Sequence, residues 1–204
     1  MNIALFDFDG TVTYADSFLP FVRYAAPLPT LVAGHVFLAP RILGYWLGRV
    51  QATDMRQSIC TFALRGRQAS EVAALGAQYA EQVLPGRLRP EALARIDWHE
   101  RQGDVVVIVS ASLEAYLAPW CAARKLNLIC TRLEAVDGVL TGRYLDGDCS
   151  GAEKARRILA AHSLESFEGV YAYGDTHEDR DMLALARHRY FRWREQTADS
   201  RDQK

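Results

Sequence analysis

The sequence predicts an α/β protein: a three-layer domain on a mostly parallel sheet, with an all-helical segment inserted after the first strand. Three observations predict it. Five short apolar runs, at about Ile3–Asp7, Val105–Ser110, Leu126–Cys130, Val170–Asp175 and His188–Trp193, read as strands. Helical patterns separate the later runs, which makes βαβ units and hence parallel pairing. From about Asp16 to Leu84 the pattern is helical with no convincing strand, and Pro85-Gly86 closes it. The division that follows is a core of residues 1–14 and 86–204 and a helical cap of residues 15–85.

The first strand carries the most information. Ile3-Ala4-Leu5-Phe6 runs into Asp7-Phe8-Asp9-Gly10-Thr11. In a strand, residues i and i+2 share a side, so Asp7 and Asp9 are expected to project together from its C-terminal end. Open α/β sheets place their ligands there. Adjacent carboxylates repel, and a hard cation such as Mg²⁺ bound through oxygens relieves the repulsion. The plain alternative is an Asp-Gly turn whose acids merely cap it. Taken alone, this stretch leaves both readings open.

The helical insert follows, broken by Pro27, Pro29 and Pro40. It leaves and rejoins the sheet beside Asp7 and Asp9, the position of a cap that closes over a site and reads the leaving group. Residues 17–70 hold six arginines, no lysine and one acid, Asp54. Leu31–Leu47 is strongly apolar but interrupted by Pro40 and Arg41, which makes it a poor bilayer span. The first expectation is a pair of buried helices with arginines on the wet face. The alternative is an apolar, basic surface in peripheral contact with an anionic membrane, admitting a lipid phosphate such as phosphatidylglycerophosphate or a lysolipid phosphate.

Three later segments add chemistry. The second strand ends at Ser110-Ala111-Ser112, where a helical pattern through Arg124 begins. Ser110 is therefore expected at a helix start, where free N–H groups suit a phosphate. Gly151-Ala152-Glu153-Lys154 opens another helix. Val170–Asp175 is a strand ending in an acid, with Asp179 expected on the first turn of the next helix. Singly, each has a plain explanation as a helix cap or a solvated charge. Lys154 stands out because only three of the 24 basic residues are lysines: Lys125, Lys154 and Lys204. A lysine in so arginine-rich a chain points to a site that needs a compact ammonium.

In this order the four segments resemble the haloacid dehalogenase superfamily, whose DxDGT pattern is met by Asp7–Thr11. Its Ser/Thr motif is met by Ser110, its lysine motif by Lys154 and its GDxxxD motif by Gly174–Asp179. The long helical region, and Val136–Tyr144 as a hairpin before the lysine, are similar to the phosphoserine-phosphatase-like branch, subfamily IB. The resemblance implies a Rossmann-like core and Mg²⁺-dependent hydrolysis of a phosphomonoester through an aspartyl-phosphate. Asp7 is then the nucleophile and Asp9 the general acid/base. Mg²⁺ sits on Asp7, the Asp9 carbonyl and Asp175. Ser110, neighbouring N–H groups including that of Ala111, and Lys154 hold the phosphate, and Asp179 orients Lys154 or a metal-bound water. A phosphoryl transfer to an alcohol would use the same residues. A non-catalytic phosphate-binding module is the other class, disfavoured because both Asp7 and Asp9 are kept.

The chain departs from the phosphoserine phosphatase pattern. Glu178 stands in place of Asn, and Ser110-Ala111-Ser112 in place of Ser-Gly-Gly. Asp16 falls where that enzyme's amino-binding Glu lies, and Arg56 is a loose candidate for its carboxylate-binding Arg. These changes keep the phosphoryl chemistry and put L-phosphoserine itself in doubt, leaving a small soluble phosphorylated metabolite as the expected substrate. His177 reads as a solvated loop histidine.

Composition bounds the rest. A chain of 204 residues, 50% hydrophobic, can bury one good core and a small accessory domain. A net charge of −1 gives no bulk attraction for nucleic acid. Cys60, Cys121, Cys130 and Cys149 form no CxxC pair or zinc spacing, and reduced thiols in the cytoplasm are expected. Ile3–Phe8 is too short for a secretory signal and runs straight into the acids. The polar end from Glu195 to Lys204 is expected to fray.

Overall fold

The computed structural model describes residues 1–196, so the expected fraying lies almost wholly outside the described residues. In chain order the elements begin with β1 (Ile3–Phe6), α1 (Phe18–Ala25), α2 (Leu28–Phe37), α3 (Ala39–Trp46), α4 (Ala52–Leu64) and α5 (Ala69–Gln82). There follow α6 (Pro90–Arg101), β2 (Val105–Leu113), α7 (Glu114–Arg124), β3 (Asn127–Thr131), β4 (Leu133–Val136) and β5 (Val139–Tyr144). The chain continues through α8 (Ala152–Ala161), β6 (Val170–Gly174), α9 (Arg180–Ala184), β7 (His188–Phe191) and β8 (Arg194–Gln196).

Six strands form one sheet in the order β3-β2-β1-β6-β7-β8, parallel except for the β7–β8 edge pair. β1 lies inside it, paired with β2 at Phe6↔Ile108 and with β6 at Phe6↔Tyr173. The strand order reverses beside β1, between the β2 side and the β6 side, which is where such sheets open a crevice. Every residue of β1 is buried. Its alternation divides the core: Ala4 and Phe6 pack into one apolar cluster, Ile3 and Leu5 into the other.

The chain departs at Thr13 and returns at Leu88, where the two segments bridge antiparallel. The Tyr14 N–H donates to the Arg87 carbonyl at 3.0 Å and the Arg89 N–H to the Val12 carbonyl at 2.9 Å. Between these points lie α1–α5. The expected proline breaks fall at helix starts, with Pro27 preceding α2 and Pro40 in the first turn of α3. α5 is anchored on α7 at Gly76, where a Cβ would lie 2.0 Å from the Ala115 carbonyl oxygen. α4 is anchored on the β4–β5 hairpin, the Gln57 side chain donating to the Gly142 carbonyl at 2.6 Å and accepting from the Tyr144 N–H at 3.1 Å.

Two expectations are corrected. β2 continues through Leu113, with an irregularity against β3 between Ser110 and Leu113, so α7 starts four residues later than the helical pattern suggests. The anticipated buried helix pair is also absent: Gly34 is the one buried residue of α2, and α3 has none. α2 meets α4 where Gly34 faces the Phe62 ring, and its outer side is left to solvent. Among the described residues no helix is long and apolar enough to cross a membrane.

Candidate active site

The parallel register brings the ends of β1 and β6 level with Ile108–Ser110 inside β2, and the chain's chemistry collects there. Asp7 is the residue after β1, its N–H donating to the Tyr173 carbonyl of β6 at 2.9 Å. Asp175 follows β6. Gly10, at φ +83°, lets the Asp175 carboxylate fold over the loop: a Cβ there would lie 2.3 Å from its Oδ2. Lys154 comes from the first turn of α8 and is only 2% exposed. Its Nζ lies 2.6 Å from Asp7 Oδ1 and 2.6 Å from Asp179 Oδ1.

Burial alone would lower the Lys154 ammonium, but the two carboxylates outweigh it and hold its pKa above the ordinary value. Burial pushes the Asp7 carboxyl up, against the pull of Lys154. Asp179 is fully spoken for. Its Oδ1 accepts from Lys154, and its Oδ2 accepts from the N–H groups of Asp175 at 3.0 Å and Thr176 at 2.9 Å. It lies in a short 3₁₀ turn, His177–Asp179, ahead of α9 instead of on that helix's first turn, and the turn is closed by a Thr176/Asp179 capping box.

The donor set fits a hard cation. Carboxylate oxygens of Asp7, Asp175 and Asp179 lie within 4.8 Å of one another. With Asp179 committed to Lys154 and the loop, Asp7 and Asp175 remain as all-oxygen donors, the chemistry Mg²⁺ requires. Among the described residues the Asp175 carboxylate accepts only a long contact from Thr11 Oγ1, at 3.4 Å, and burial and Asp179 raise its pKa.

Asp7 and Asp9 face one pocket but keep different partners. β1 stops at Phe6, so the same-side rule of a strand does not extend to Asp9. Asp9 Oδ1 accepts from the Ser17 N–H at 2.7 Å and the Ser17 hydroxyl at 2.5 Å, and Oδ2 accepts from the Ser112 hydroxyl. The Ser17 hydroxyl also meets the Tyr116 hydroxyl at 2.8 Å. Burial and the nearby Asp16 push Asp9 up to about 6 despite the bonds from Ser112 and Ser17. Ser17 and Tyr116 are missed by the sequence reading, lying 8 and 107 positions from Asp9 with no motif to mark them; Ser112 sits in the Ser110-Ala111-Ser112 run but carries no role there.

A pocket of about 330 Å³ gathers the expected residues: Asp7, Asp9, Asp16, Arg56, Ser110, Ala111, Lys154 and Asp175 all line it. Ser110 is in β2, not at a helix start, and its Oγ accepts from the Ser112 N–H at 3.0 Å. Asp16 is exposed at the rim and accepts from the N–H groups of Phe18 and Leu19, capping α1. Arg56 reaches the pocket already engaged. Its Nε and Nη2 donate to Asp148 at 2.8 and 3.0 Å, and Nη2 also contacts Glu178 at 3.3 Å. These acids raise its pKa against the effect of burial. His177 is exposed, as expected.

Comparison with known proteins agrees with this geometry. The family described as haloacid dehalogenase-like hydrolase matches residues 4–184. Protein CicA of Caulobacter vibrioides is 33% identical over 198 residues, covering 93% of this chain and 85% of its own. Phosphoserine phosphatase SerB1 of Mycobacterium tuberculosis is 28% identical over 198 residues, covering 89% of this chain and 61% of the longer mycobacterial protein. A Bordetella pertussis protein of unknown function shares the fold, with TM-score 0.74, 24% identity and coverage of 93% and 89% of the two chains. By family match, fold and the four motif segments meeting in one pocket, this chain belongs to the haloacid dehalogenase-like hydrolases.

Proposed function

We propose that this hydrolase is a Mg²⁺-dependent phosphomonoesterase acting through an aspartyl-phosphate on Asp7. The observation that carries the reading is the buried Asp7–Lys154–Asp179 arrangement beneath a pocket that also presents Asp175, Asp9 and Ser110. Phosphoryl transfer needs charge neutralisation and in-line positioning more than covalent ingenuity, and this donor set supplies both.

Asp7 attacks phosphorus as the ester P–O bond breaks, and the Asp9 carboxylic acid gives its proton to the leaving oxygen. A pKa of about 6 keeps Asp9 able to donate and accept near neutrality. Asp9 then takes a proton from water, whose oxygen attacks phosphorus; the acyl-phosphate bond breaks, phosphate leaves and Asp7 is restored. Ser110, the Ala111 N–H and Lys154 hold the phosphate oxygens, while Asp179 keeps Lys154 aimed. When bound, Mg²⁺ would be held by Asp7, Asp175 and the Asp9 carbonyl and would supply the remaining charge neutralisation.

Residues 15–85 act as the cap in this reading, setting the choice of substrate, with the Thr13–Leu88 bridge as the boundary and Arg56 bonded to core acids across it. The pocket suits a small phosphate-bearing group, and the relative SerB1, named a phosphoserine phosphatase, supports phosphomonoester chemistry without fixing the group that carries the phosphate. Arg56, engaged by Asp148 and Glu178, is less suited to a free carboxylate, which favours phosphate groups other than L-phosphoserine. Four buried free thiols fit a reducing, cytoplasmic setting.

The test is phosphate release from a chromogenic aryl phosphate. Chelation with EDTA is expected to silence the protein and Mg²⁺ to restore it. Activity that survives thorough chelation removes the metal from the account.

A further inference from the structure

The outer side of α2 and α3 is the feature the catalytic reading leaves unused. Leu28, Val32 and Val36 recur every four residues and form one exposed stripe along α2. Leu43 and Trp46 of α3 and Leu47 just after it are exposed as well, and Trp46 and Phe37 are 79% and 72% exposed. α2 carries no Lys, Arg, Asp or Glu, and α3 carries only Arg41. An apolar face of this kind on an otherwise well-packed protein marks an interaction site.

The charge around it identifies the occupant. Arg23, at the end of α1, and Arg49, just after α3, are exposed, and neither has an acidic partner among the described residues. Residues 17–70 hold six arginines against one aspartate, while the whole chain carries −1. Of the six, Arg23, Arg41 and Arg49 lie on or beside α2–α3, whereas Arg56 is bound to Asp148 and Glu178 at the catalytic pocket and Arg67 to Glu71. Two copies meeting symmetrically through the α2–α3 face would set arginine rim against arginine rim, a repulsive arrangement. An apolar stripe with a cationic rim matches a surface that is anionic outside and apolar beneath.

A second feature joins this face to the site. The stripe opens into an apolar cavity of about 670 Å³ between α1, α2, α3 and α4, lined by its own Leu28, Val32 and Trp46 together with Leu31, Ile42 and Met55. Leu19 and Met55 line this cavity, while their chain neighbours Phe18 and Arg56 line the catalytic pocket. α1 and α4 thus form a wall with an apolar cavity on one side and a phosphate site on the other. We infer that the α2–α3 face lies on an anionic bilayer surface and that the phosphomonoester hydrolysed in the pocket is carried on an amphiphilic lipid. The substrate half of this inference rests on the phosphomonoesterase reading above; the docking half does not.

The experiment is co-sedimentation of the full chain with phosphatidylcholine vesicles, with and without phosphatidylglycerol. Binding is expected only with the anionic lipid, and at least about tenfold weaker at high salt. Phe37→Ser combined with Trp46→Ser is expected to abolish it while leaving aryl phosphate hydrolysis at the wild-type rate. Asp7→Asn is expected to bind vesicles as the wild type does, which separates docking from chemistry. Vesicle binding without any phosphatase activity would leave the docking standing and overturn the phosphomonoesterase reading. No sedimentation with anionic vesicles at low salt, undiminished binding by the double variant, or a solution dimer that ignores vesicles would each overturn the docking.

Discussion

Asp7→Asn is expected to fold like the wild type and to hydrolyse phosphomonoesters more than about 10⁴-fold more slowly, the scale of loss when a covalent nucleophile is removed. Asn keeps the size and hydrogen-bonding shape of Asp7 but cannot form the acyl-phosphate. The variant stays folded because Asp179 still neutralises Lys154 from 2.6 Å, and because Asp7 sits at the end of β1, outside the apolar clusters on either side of the sheet. Steady-state release of phosphate, with a urea midpoint measured beside it, checks both halves. Near-wild-type turnover in a folded variant removes Asp7 from the chemistry.

Lys154→Met is expected to remove turnover and also to destabilise the fold, by roughly 3–5 kcal/mol, the usual cost of removing one member of a buried charge cluster. Met fills the space of the lysine stem, so the loss is electrostatic. Asp7 and Asp179 would be left as buried carboxylates with no cation between them. Lys154→Arg is expected not to restore activity, because a planar fork cannot replace a compact ammonium between two oxygens each 2.6 Å away. Urea denaturation and kcat measure the two effects. A stable, active Lys154→Met would contradict the arrangement.

Much of this was legible in the residues. The strands at Ile3, Val105, Leu126–Asn127, Val170 and His188 follow from apolar runs of strand length, and their parallel pairing follows from the helices between them. Asp7 and Asp175 end up in one pocket because each follows the end of a strand that the register aligns, with Ser110 on the neighbouring β2 and Lys154 brought in by the first turn of α8.

Other features depend on contacts that no local pattern encodes. β2 runs on to Leu113 because β3 lies alongside to pair with it, overriding the helical pattern that starts at Ser110. Asp9 is turned toward Ser17 and Ser112 by partners from two separate elements. Arg56 looked available because Asp148 and Glu178 lie about 90 and 120 positions away. The helices α2 and α3 looked buried because apolar composition records what a helix could cover, not which neighbours exist to cover it.

The central claim is that phosphate passes through a covalent bond to Asp7. Rapid acid quench of the wild-type protein during turnover of a ³²P-labelled phosphomonoester, followed by peptide mapping, tests it directly. The account predicts transient label on the peptide containing Asp7, stable in acid and released by hydroxylamine, accumulating further in Asp9→Asn with an aryl phosphate, whose leaving group needs no proton from Asp9, because the general base for hydrolysis is gone. Steady turnover with no protein-bound label in either protein, or label on a residue other than Asp7, would contradict it.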